Sequence, residues 1–269
     1  MKMVKLAPVG ALLVLACLCT GCNKLKARDQ LNKGVVAYRN AEFAAAIEHF
    51  QRAVSMDPTL LNARLYLATA YAQEYVPGGD TPDNQKAGQQ AIDAFGQVLQ
   101  LDPTNSNALG SIGQIYYEMK NYDKAKEYQE RLMKIQPNNP DPYYWIGVLN
   151  WLPCYKNDMM LRQQLNLITP KDPAKSDVLP PLPAKAVDQL AKQNSTLIDE
   201  GIQSLEKAIQ LKPDYADAMS YLNLMYRQKA DLETSADARQ ADLQKADDLV
   251  NKALALKKAA ALKAPPSSS

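Results

Sequence analysis

Three of the four cysteines, Cys17, Cys19 and Cys22, lie within six residues near the start of the chain, and Cys154 is far from them. Thiols at this spacing could form a redox pair, bind a metal ion or carry a lipid. A structural metal site needs four ligands in a folded frame, and the chain has one histidine. The choice therefore depends on the segment in which the cysteines lie.

That segment has the layout of a secretory signal. Lys2 and Lys5 form a short cationic region, and an uncharged apolar run follows from Leu6 to Cys19. The run is too short to span a bilayer as a transmembrane helix. We therefore predict that residues 1–21 are a signal peptide, in which a redox pair or a metal site would have no function.

Gly21 followed by Cys22 resembles the lipobox of bacterial lipoproteins, in which the signal is cut just before an acylated cysteine. The resemblance implies that Cys22 carries the lipid. Cys19 stands where that family prefers leucine, and Val14-Leu15-Ala16-Cys17 is a competing motif, so Cys17 is the alternative lipidation site. The third possibility is that the three cysteines are ordinary residues of an apolar leader that is cut at another position. Residues 22–26 would be the lipidated cysteine and a short tether, whose four residues after the cysteine reach roughly 13 Å when extended.

The rest of the chain repeats one skeleton about five times with a period near 34 residues: a small residue, an aromatic or aliphatic residue, Ala, an aromatic residue, Ala and Pro. Two clear copies are GVVAYRNAEFAAAIEHFQRAVSMDP from Gly34 and GQIYYEMKNYDKAKEYQERLMKIQP from Gly113. Each copy has two stretches with apolar residues at i, i+3, i+4 and i+7, which predicts two amphipathic helices. Since proline cannot continue a helix, it should end the second helix of four copies. These residues are Pro58, Pro103, Pro137 and Pro213.

This skeleton resembles the tetratricopeptide repeat. The resemblance implies an all-α fold, a right-handed superhelical solenoid of antiparallel helix pairs, over about residues 27–258. The expected repeats are 27–60, 61–105, 106–139, 140–215 and 216–258. Residues 259–269 are expected to form a disordered tail.

Three copies carry insertions in the turn between their two helices, which places the insertions along one edge of the solenoid. They lie near residues 73–83, 151–200 and 229–240. In the second and fifth copies the alternative to a loop is a longer helix, and Thr81-Pro82 has the pattern of a helix start. In the fourth copy we expect a short helix after Pro153, a proline-rich extended loop and a long second helix. Two roles are possible for this insertion: a flap that packs over the edge of the solenoid, or an arm that binds a partner.

In the tetratricopeptide family the partner lies in a concave groove lined by the first helices. Aromatic side chains would serve there as rigid anchors and amides would bind the backbone of an extended or helical peptide. Carried onto this sequence, the predicted groove residues are Tyr38, Gln73, Asn107, Gln114, Tyr117, Tyr144, Trp151 and Arg227. The chaperone-binding branch of the family uses Lys, Asn and Arg to hold a terminal carboxylate. The matching positions carry Leu31, Val35, Tyr66 and Ser111, which excludes that branch.

Little in the sequence supports catalysis. His49 stands beside Glu48 on a predicted outer helix face with no nucleophile near it, and is expected to be solvated. Phosphate-loop, HExxH and GxSxG motifs are absent. We expect no cofactor, no metal and no small-molecule substrate. Without Lys2 and Lys5, the 31 basic residues fall to 29 and equal the 29 acidic ones, so a neutral body offers no attraction for nucleic acid.

These features predict a non-catalytic scaffold that is lipid-anchored in a bacterial cell envelope, faces the periplasm, and binds a protein or peptide in the groove or at the insertion edge. Asn23 rather than Asp after the lipidated cysteine favours the outer membrane, by resemblance to lipoproteins of diderm bacteria. One alternative is an accessory module that recruits an enzyme acting on the cell wall, and another is an intrinsic enzyme. Cys154 would be either a small buried side chain or a thiol able to cross-link.

Overall fold

A computed structural model describes residues 9–168 and 179–263, with side chains from Cys22 to Leu262 within those ranges. The secondary structure of these residues is entirely helical. The chain divides into two compact units, residues 1–128 and 129–269. Its helices are α1 (Val9–Arg39), α2 (Phe43–Met56), α3 (Leu61–Ala72), α4 (Pro82–Leu101), α5 (Ser106–Glu118), α6 (Tyr122–Ile135), α7 (Pro140–Gln164), α8 (Ala184–Leu211), α9 (Ala216–Ala230) and α10 (Ala236–Lys263).

Successive helices pack as hairpins within each unit. In the first unit α1 packs on α2 and α3 on α4, while α2 also contacts α3 and α4 contacts α5. In the second unit α7 packs on α8 and α9 on α10, while α9 also contacts α7 and α8. The helix α6 begins in the first unit and ends in the second. The all-α prediction of about five antiparallel helix pairs is confirmed.

A turn motif that recurs within the chain explains where the second helices end. The helices α2, α4, α6 and α8 each end two residues before a proline, as the sequence predicted. After α2 and α4 the turn is Asp-Pro-Thr, and Asp57 and Asp102 each accept hydrogen bonds from the hydroxyl and the backbone N–H of the threonine two residues later. The hydrogen bond from Thr59 lowers the pKa of Asp57, and bonds from Asn105 and Thr104 lower the pKa of Asp102. Each turn therefore holds its aspartate in the charged form.

Small residues allow the helices of a hairpin to approach closely. A Cβ placed on Gly34 would overlap the ring of Phe50, and one placed on Gly147 would overlap Leu205. Phe50 and Leu205 are both fully buried. The glycine at the skeleton's small position thus makes room for the large side chain of the facing helix.

Cys154 lies in the core of the second unit, packed among α7, α8 and α9. It is 0% exposed and belongs to a cluster with Ile198, Leu205 and Met225. Burial raises the pKa of its thiol to about 12. A buried, protonated thiol is unreactive. Of the two alternatives for Cys154, the small buried side chain is therefore correct and the cross-linking thiol is not.

The fourth insertion differs from its prediction at Pro153. The expected short helix after this proline does not form separately, because α7 runs without a break from Pro140 to Gln164 with Pro153 inside it. Cys154 and Leu161 beyond the proline are buried, so packing outweighs the one lost hydrogen bond. The long second helix is confirmed as α8, and the segment before it packs Leu182 against Leu190. Residues 169–178 of the proline-rich loop lie outside the described residues.

The other two insertions form mainly a loop in the second copy and mainly helix in the fifth. In the second copy a loop of residues 73–81 precedes α4. Thr81 is the N-cap of this helix, and its hydroxyl accepts a hydrogen bond from the backbone N–H of Asn84. The Asn84 side chain also ties the loop down through three hydrogen bonds, to both polar backbone groups of Val76 and to the carbonyl of Gly79. In the fifth copy α9 and α10 are long, leaving only residues 231–235 between them. Longer helices are therefore the correct alternative in the fifth copy, whereas in the second copy both alternatives hold in part, since α4 starts at Pro82 but residues 73–81 are a loop.

The ends of the chain also differ from expectation. The residues expected to be a tether, 22–26, lie inside α1, where the four residues after Cys22 rise about 6 Å rather than roughly 13 Å. Residues 259–263 of the expected tail are helical. Residues 1–8 of the predicted signal peptide, residues 264–269 of the tail, and the side chains of Cys17 and Cys19 lie outside the described residues. In the part of the chain that is described, no helix is apolar over enough of its length to cross a membrane.

Candidate partner-binding site

An aromatic row runs along α7 and α9 in the second unit. The Trp151 ring stacks on Tyr155 with centroids 5.0 Å apart and meets Tyr221 edge-on at 5.5 Å. Tyr144 continues the row, 5.7 Å from Tyr221 and 5.2 Å from Tyr215. Trp151 and Tyr144 are half-buried, and Tyr155 is 44% exposed. Such rings offer a partner a large contact area at a small cost in conformational entropy.

The Trp151 end of this row borders a cavity of about 170 Å³. One wall is a stripe on α7, formed by Trp151, Tyr155 and Met159 at intervals of four residues. The α9 wall includes Leu224 and Arg227. Two predicted groove residues, Trp151 and Arg227, are therefore brought together. The remaining lining residues are Asp158, Leu179, Gln228, Asp231, Arg239 and Leu243.

A buried arginine holds two of the lining carboxylates. The Arg162 side chain is 0% exposed, and its Nε donates to both oxygens of Asp158 at 2.9 Å. Its Nη1 donates to the carbonyl of Pro180 at 2.7 Å, and Nη2 lies 2.7 Å from Oδ2 of Asp231. The guanidinium thereby ties α7 to the segment before α8 and to the end of α9.

The charges of this network balance. Burial raises the pKa of Asp158, and the nearby Arg162 opposes that rise. Burial disfavours the charged form of Arg162, but attraction by Asp231 and Asp158 outweighs it and raises the pKa of Arg162. Nη2 of Arg239 lies 3.4 Å from Oδ1 of Asp231, so two cations face two anions. The cavity is therefore bordered by a neutral group of charges.

A second candidate surface lies in the first unit, between α3 and α5. It is a groove of about 510 Å³ whose lining includes the exposed predicted residues Asn107 and Gln114. Leu65 and Phe95 supply apolar surface, and Thr69 a hydroxyl. None of the side chains that line the groove is charged. Amides and hydroxyls that both donate and accept suit the backbone of an uncharged peptide segment.

Three predicted groove residues lie instead at the hairpin turns. Tyr38 packs edge-on against Phe43 with centroids 5.4 Å apart, and Tyr117 lies 6.0 Å from Tyr122. In both hairpins the end of the first helix thus packs on the start of the second. Gln73 is the exposed C-cap of α3. The structure does not place these three among the residues that line the groove.

His49 is more buried than the sequence suggested. It is half-buried, and its Nδ1 lies 2.8 Å from Oε1 of Gln30 on α1, so the histidine joins the first two helices instead of standing in solvent. Within the described residues no group of three or more His, Cys, Asp or Glu side chains is placed to hold a metal ion.

Family models described as tetratricopeptide repeat match residues 31–74 and 85–147. These two segments of the chain are tetratricopeptide repeats. The matched segments contain the end of α1, all of α2 and α3, most of α4, all of α5 and α6, and the first part of α7, including the groove of the first unit.

The repeats are also similar to those of curated proteins. The chain is 27% identical over 154 residues to the photosystem I assembly protein Ycf3 of Synechococcus elongatus, covering 52% of this chain and 82% of that protein. It is 28% identical over 115 residues to the Hsp70-Hsp90 organizing protein of Triticum aestivum, covering 43% of this chain but 18% of that protein.

Solved structures share the fold of the repeats. The crystal structure of a MamA protein aligns with a TM-score of 0.57 at 16% identity, covering 91% of this chain and 98% of MamA. YrrB, described as having an unusual peptide-binding site, aligns with a TM-score of 0.51 at 16% identity, covering 85% and 90% of the two chains. At these identities the likeness concerns the fold alone.

Sequence reasoning missed the buried network of the repeat protein. Asp158 and Arg162 are four residues apart, the spacing that places an ion pair on one helix face. That signal was present in the short helix expected after Pro153, but the spacing alone does not show that the pair is buried or that Asp231 joins it. Sequence reasoning also did not predict that Met159, Gln228 and Leu179 line the cavity. These residues come from α7, α9 and the segment before α8, and only the folded structure shows that the three elements meet.

Proposed function

We propose that this tetratricopeptide repeat protein is a non-catalytic scaffold that binds protein or peptide partners. The observation that carries the proposal is the pairing of predicted residues on two accessible surfaces. Asn107 and Gln114 share the groove of the first unit, and Trp151 and Arg227 share the cavity of the second. Exposed amides and half-buried aromatic rings are side chains that bind peptides well. The printed roles of the relatives, photosystem I assembly and Hsp70-Hsp90 organization, support the same class of activity.

The groove can be tested by cross-linking in native membranes followed by mass spectrometry. We expect that Asn107→Ala combined with Gln114→Ala lowers the yield of partner adducts at least about tenfold, because the peptide loses two amides that bond its backbone. Gln90→Ala combined with Gln100→Ala changes two exposed amides on α4 and serves as the matched control. Unchanged adducts in the first variant would show that the groove binds no partner. Adducts with assembly machinery favour a scaffold, and adducts with hydrolases favour recruitment of a wall enzyme.

We further propose that the protein is a lipoprotein of a bacterial cell envelope, anchored through Cys22 and facing the periplasm, in the outer membrane. The lipobox-like sequence before Cys22 and the cationic and apolar leader support this proposal. Cys22 is exposed, as an acylation site must be. The short helical distance from Cys22 would hold the first hairpin close to the bilayer.

The anchor is tested by metabolic labelling with a palmitate analogue. In Cys22→Ser we expect the label to disappear and the protein to leave the membrane fraction, since its acyl chains would be lost. Cys17→Ser is the matched control and should keep the label. If the label instead disappears only in Cys17→Ser, the lipid is on the alternative cysteine. If the wild type takes up no label, the leader belongs to an ordinary secreted protein.

A further inference from the structure

The charge of the chain is distributed unevenly along its sequence. Between Cys22 and Arg39 there are five basic residues and one acidic residue, so this part of α1 has a net charge of +4. From Asn40 to Ser269 there are 24 basic and 28 acidic residues. The near-neutral balance of the whole chain therefore conceals a basic first helix. A local excess of cations attracts an anionic surface even when the whole molecule is neutral.

The exposed side of α1 carries Cys22 and two apolar side chains. Cys22 is exposed, Leu25 is 72% exposed and Val36 is 59% exposed. With roughly 100° between successive residues, Leu25 and Val36 lie about 20° apart around the helix axis, and Cys22 lies within about 60° of both. The opposite side of the helix, at Ala27, is fully buried. Cys22, Leu25 and Val36 thus form one face, which we call the outer stripe of α1.

Basic side chains flank the outer stripe on both sides. By the same helix geometry, Lys26 and Lys33 lie on one side of it, and Arg28 and Arg39 lie on the other. All four side chains are exposed. Long basic side chains so placed can hold their charges among lipid head groups while the apolar residues between them enter the acyl boundary.

The acidic groups near the outer stripe do not cancel this charge. Asp29 lies within the stripe but is paired with Lys33 at 2.7 Å. The pKa of Asp57 is lowered by its hydrogen bond from Thr59 and, more weakly, by cations of α1. Glu42 borders an open depression of about 390 Å³ beside the Val36 end of the stripe. Three carboxylates therefore face five cations, which leaves the surface positive.

We propose that α1 lies along the surface of an anionic phospholipid bilayer, with the outer stripe against the lipid and the flanking cations at the phosphate groups. The inference rests on the proposed anchor at Cys22 and adds the orientation of the anchored chain. Acyl chains on Cys22 leave the helix on the face that carries Leu25 and Val36. If the helix stood upright, Val36 would lie about 21 Å above the anchor. Only a helix that lies along the surface brings both apolar residues to the lipid.

A partner helix that stacks on α1 like a preceding repeat is the alternative occupant of this face. The interfaces between helices of the first unit are lined by continuous clusters of apolar side chains. The outer stripe instead has two apolar side chains among charged and amide residues, including Asn32. A lipid surface needs flanking positive charge as much as apolar area, so it fits this face better than a helix does.

The test uses the lipidated full chain in vesicles, with a fluorescent group attached to one introduced cysteine. Cys154 is buried and protonated, and an acylated Cys22 has no free thiol, so only the introduced cysteine reacts. The label is placed in Leu25→Cys and, separately, in Val36→Cys. Gln90→Cys, at an exposed position on α4, is the matched control. The vesicles contain phosphatidylethanolamine and phosphatidylglycerol, with a nitroxide-labelled lipid as the quencher.

Both labels on the outer stripe should be quenched by the lipid. We expect quenching in Leu25→Cys and in Val36→Cys to be at least about threefold stronger than in Gln90→Cys, since both positions lie at the acyl boundary. In vesicles of phosphatidylcholine alone, quenching in Val36→Cys should fall at least about threefold. Quenching in Leu25→Cys without quenching in Val36→Cys would mean that the helix stands upright. That result, quenching at neither position, or equal quenching in neutral vesicles would overturn the proposal.

Two flanking cations can be removed without changing the outer stripe. Lys26→Gln combined with Arg39→Gln should lower the quenching in Val36→Cys at least about threefold in anionic vesicles. Arg52→Gln combined with Lys124→Gln removes two exposed cations on α2 and α6 and is the matched control, which should leave the quenching unchanged. Equal quenching in the two double variants would contradict the assignment of the flanking cations to phosphate groups.

Failure of this inference is distinguishable from failure of the anchor. If the wild-type chain takes up the palmitate analogue but neither label on the outer stripe is quenched, the anchor stands and the orientation is wrong. If the wild-type chain takes up no palmitate analogue and the thiol reagent labels Cys22, the anchor is wrong and the orientation falls with it. Partner binding at Asn107 and Gln114 is measured by cross-linking and is independent of both results.

Discussion

Replacing Arg162 by methionine should destabilise the second unit by about 3–5 kcal/mol, because it leaves the buried carboxylate of Asp158 without its cation and leaves Asp231 with only the longer pairing to Arg239. Arg162 also donates to the carbonyl of Pro180, so the segment before α8 loses its attachment to α7. Both tryptophans, Trp145 and Trp151, lie in the second unit. Urea unfolding followed by tryptophan fluorescence therefore reports on the unit that carries the change.

Arg52→Met is the matched control for this substitution. Arg52 also pairs with a carboxylate four residues away, Glu48 at 3.2 Å, but the two side chains are 57% and 67% exposed. Its loss should cost no more than about 0.5 kcal/mol, measured by circular dichroism since the first unit has no tryptophan. Similar small costs for both variants would mean that the buried network adds nothing to stability.

The penalty at Arg162 should also depend on pH. Burial raises the pKa of Asp158 in the folded protein, and removing Arg162 takes away the charge that opposes this rise. A carboxylate with a raised folded pKa binds its proton more tightly in the folded state than in the unfolded one. Its contribution to stability is therefore present at low pH and is lost as the pH rises through the folded pKa. Arg162→Met should accordingly recover part of its lost stability as the pH is lowered from neutral.

Gly147→Ala should destabilise the second unit by about 1–3 kcal/mol, since the added methyl group overlaps the branched side chain of Leu205 and forces α7 and α8 apart. Leu205 is fully buried and the overlap involves its Cγ, so rotation of a side-chain end cannot relieve it. The measurement is again urea unfolding followed by tryptophan fluorescence.

Two other helical glycines provide the comparison for this prediction. A Cβ on Gly201 would meet chiefly the end of the flexible Met225 side chain, so Gly201→Ala should cost less than Gly147→Ala. Nothing lies within 4 Å of a Cβ on Gly96. Gly96→Ala should therefore stabilise α4 by roughly 0.5–1 kcal/mol through helix propensity alone. If the three substitutions had the same effect, close helix approach would not be the reason for the glycine at Gly147.

The candidate site was predictable only in part. Asn107 and Gln114 share one groove, because they are about two helical turns apart on α5 and this spacing places them on the same face of the helix. Trp151 and Arg227 were assigned to the same groove as Asn107 and Gln114, but the structure places them at a separate cavity in the second unit. Tyr38 and Tyr117 were assigned to the same surface but pack across their hairpin turns, since register alone does not say which way a ring at a helix end will turn.

The sequence by itself determined the helical hairpins, the prolines that follow the second helices, and the capped start of α4. These features depend on local periodicity and on the chemistry of a few neighbouring residues, which the order of residues records directly. Only the tertiary structure decided that α7 continues through Pro153, that Arg162 is buried between two aspartates, and that the enlarged parts of the fourth and fifth copies border one cavity. These outcomes depend on burial and on contacts between residues far apart in the chain, where packing outweighs the local preference of proline and pairing offsets the desolvation of charge.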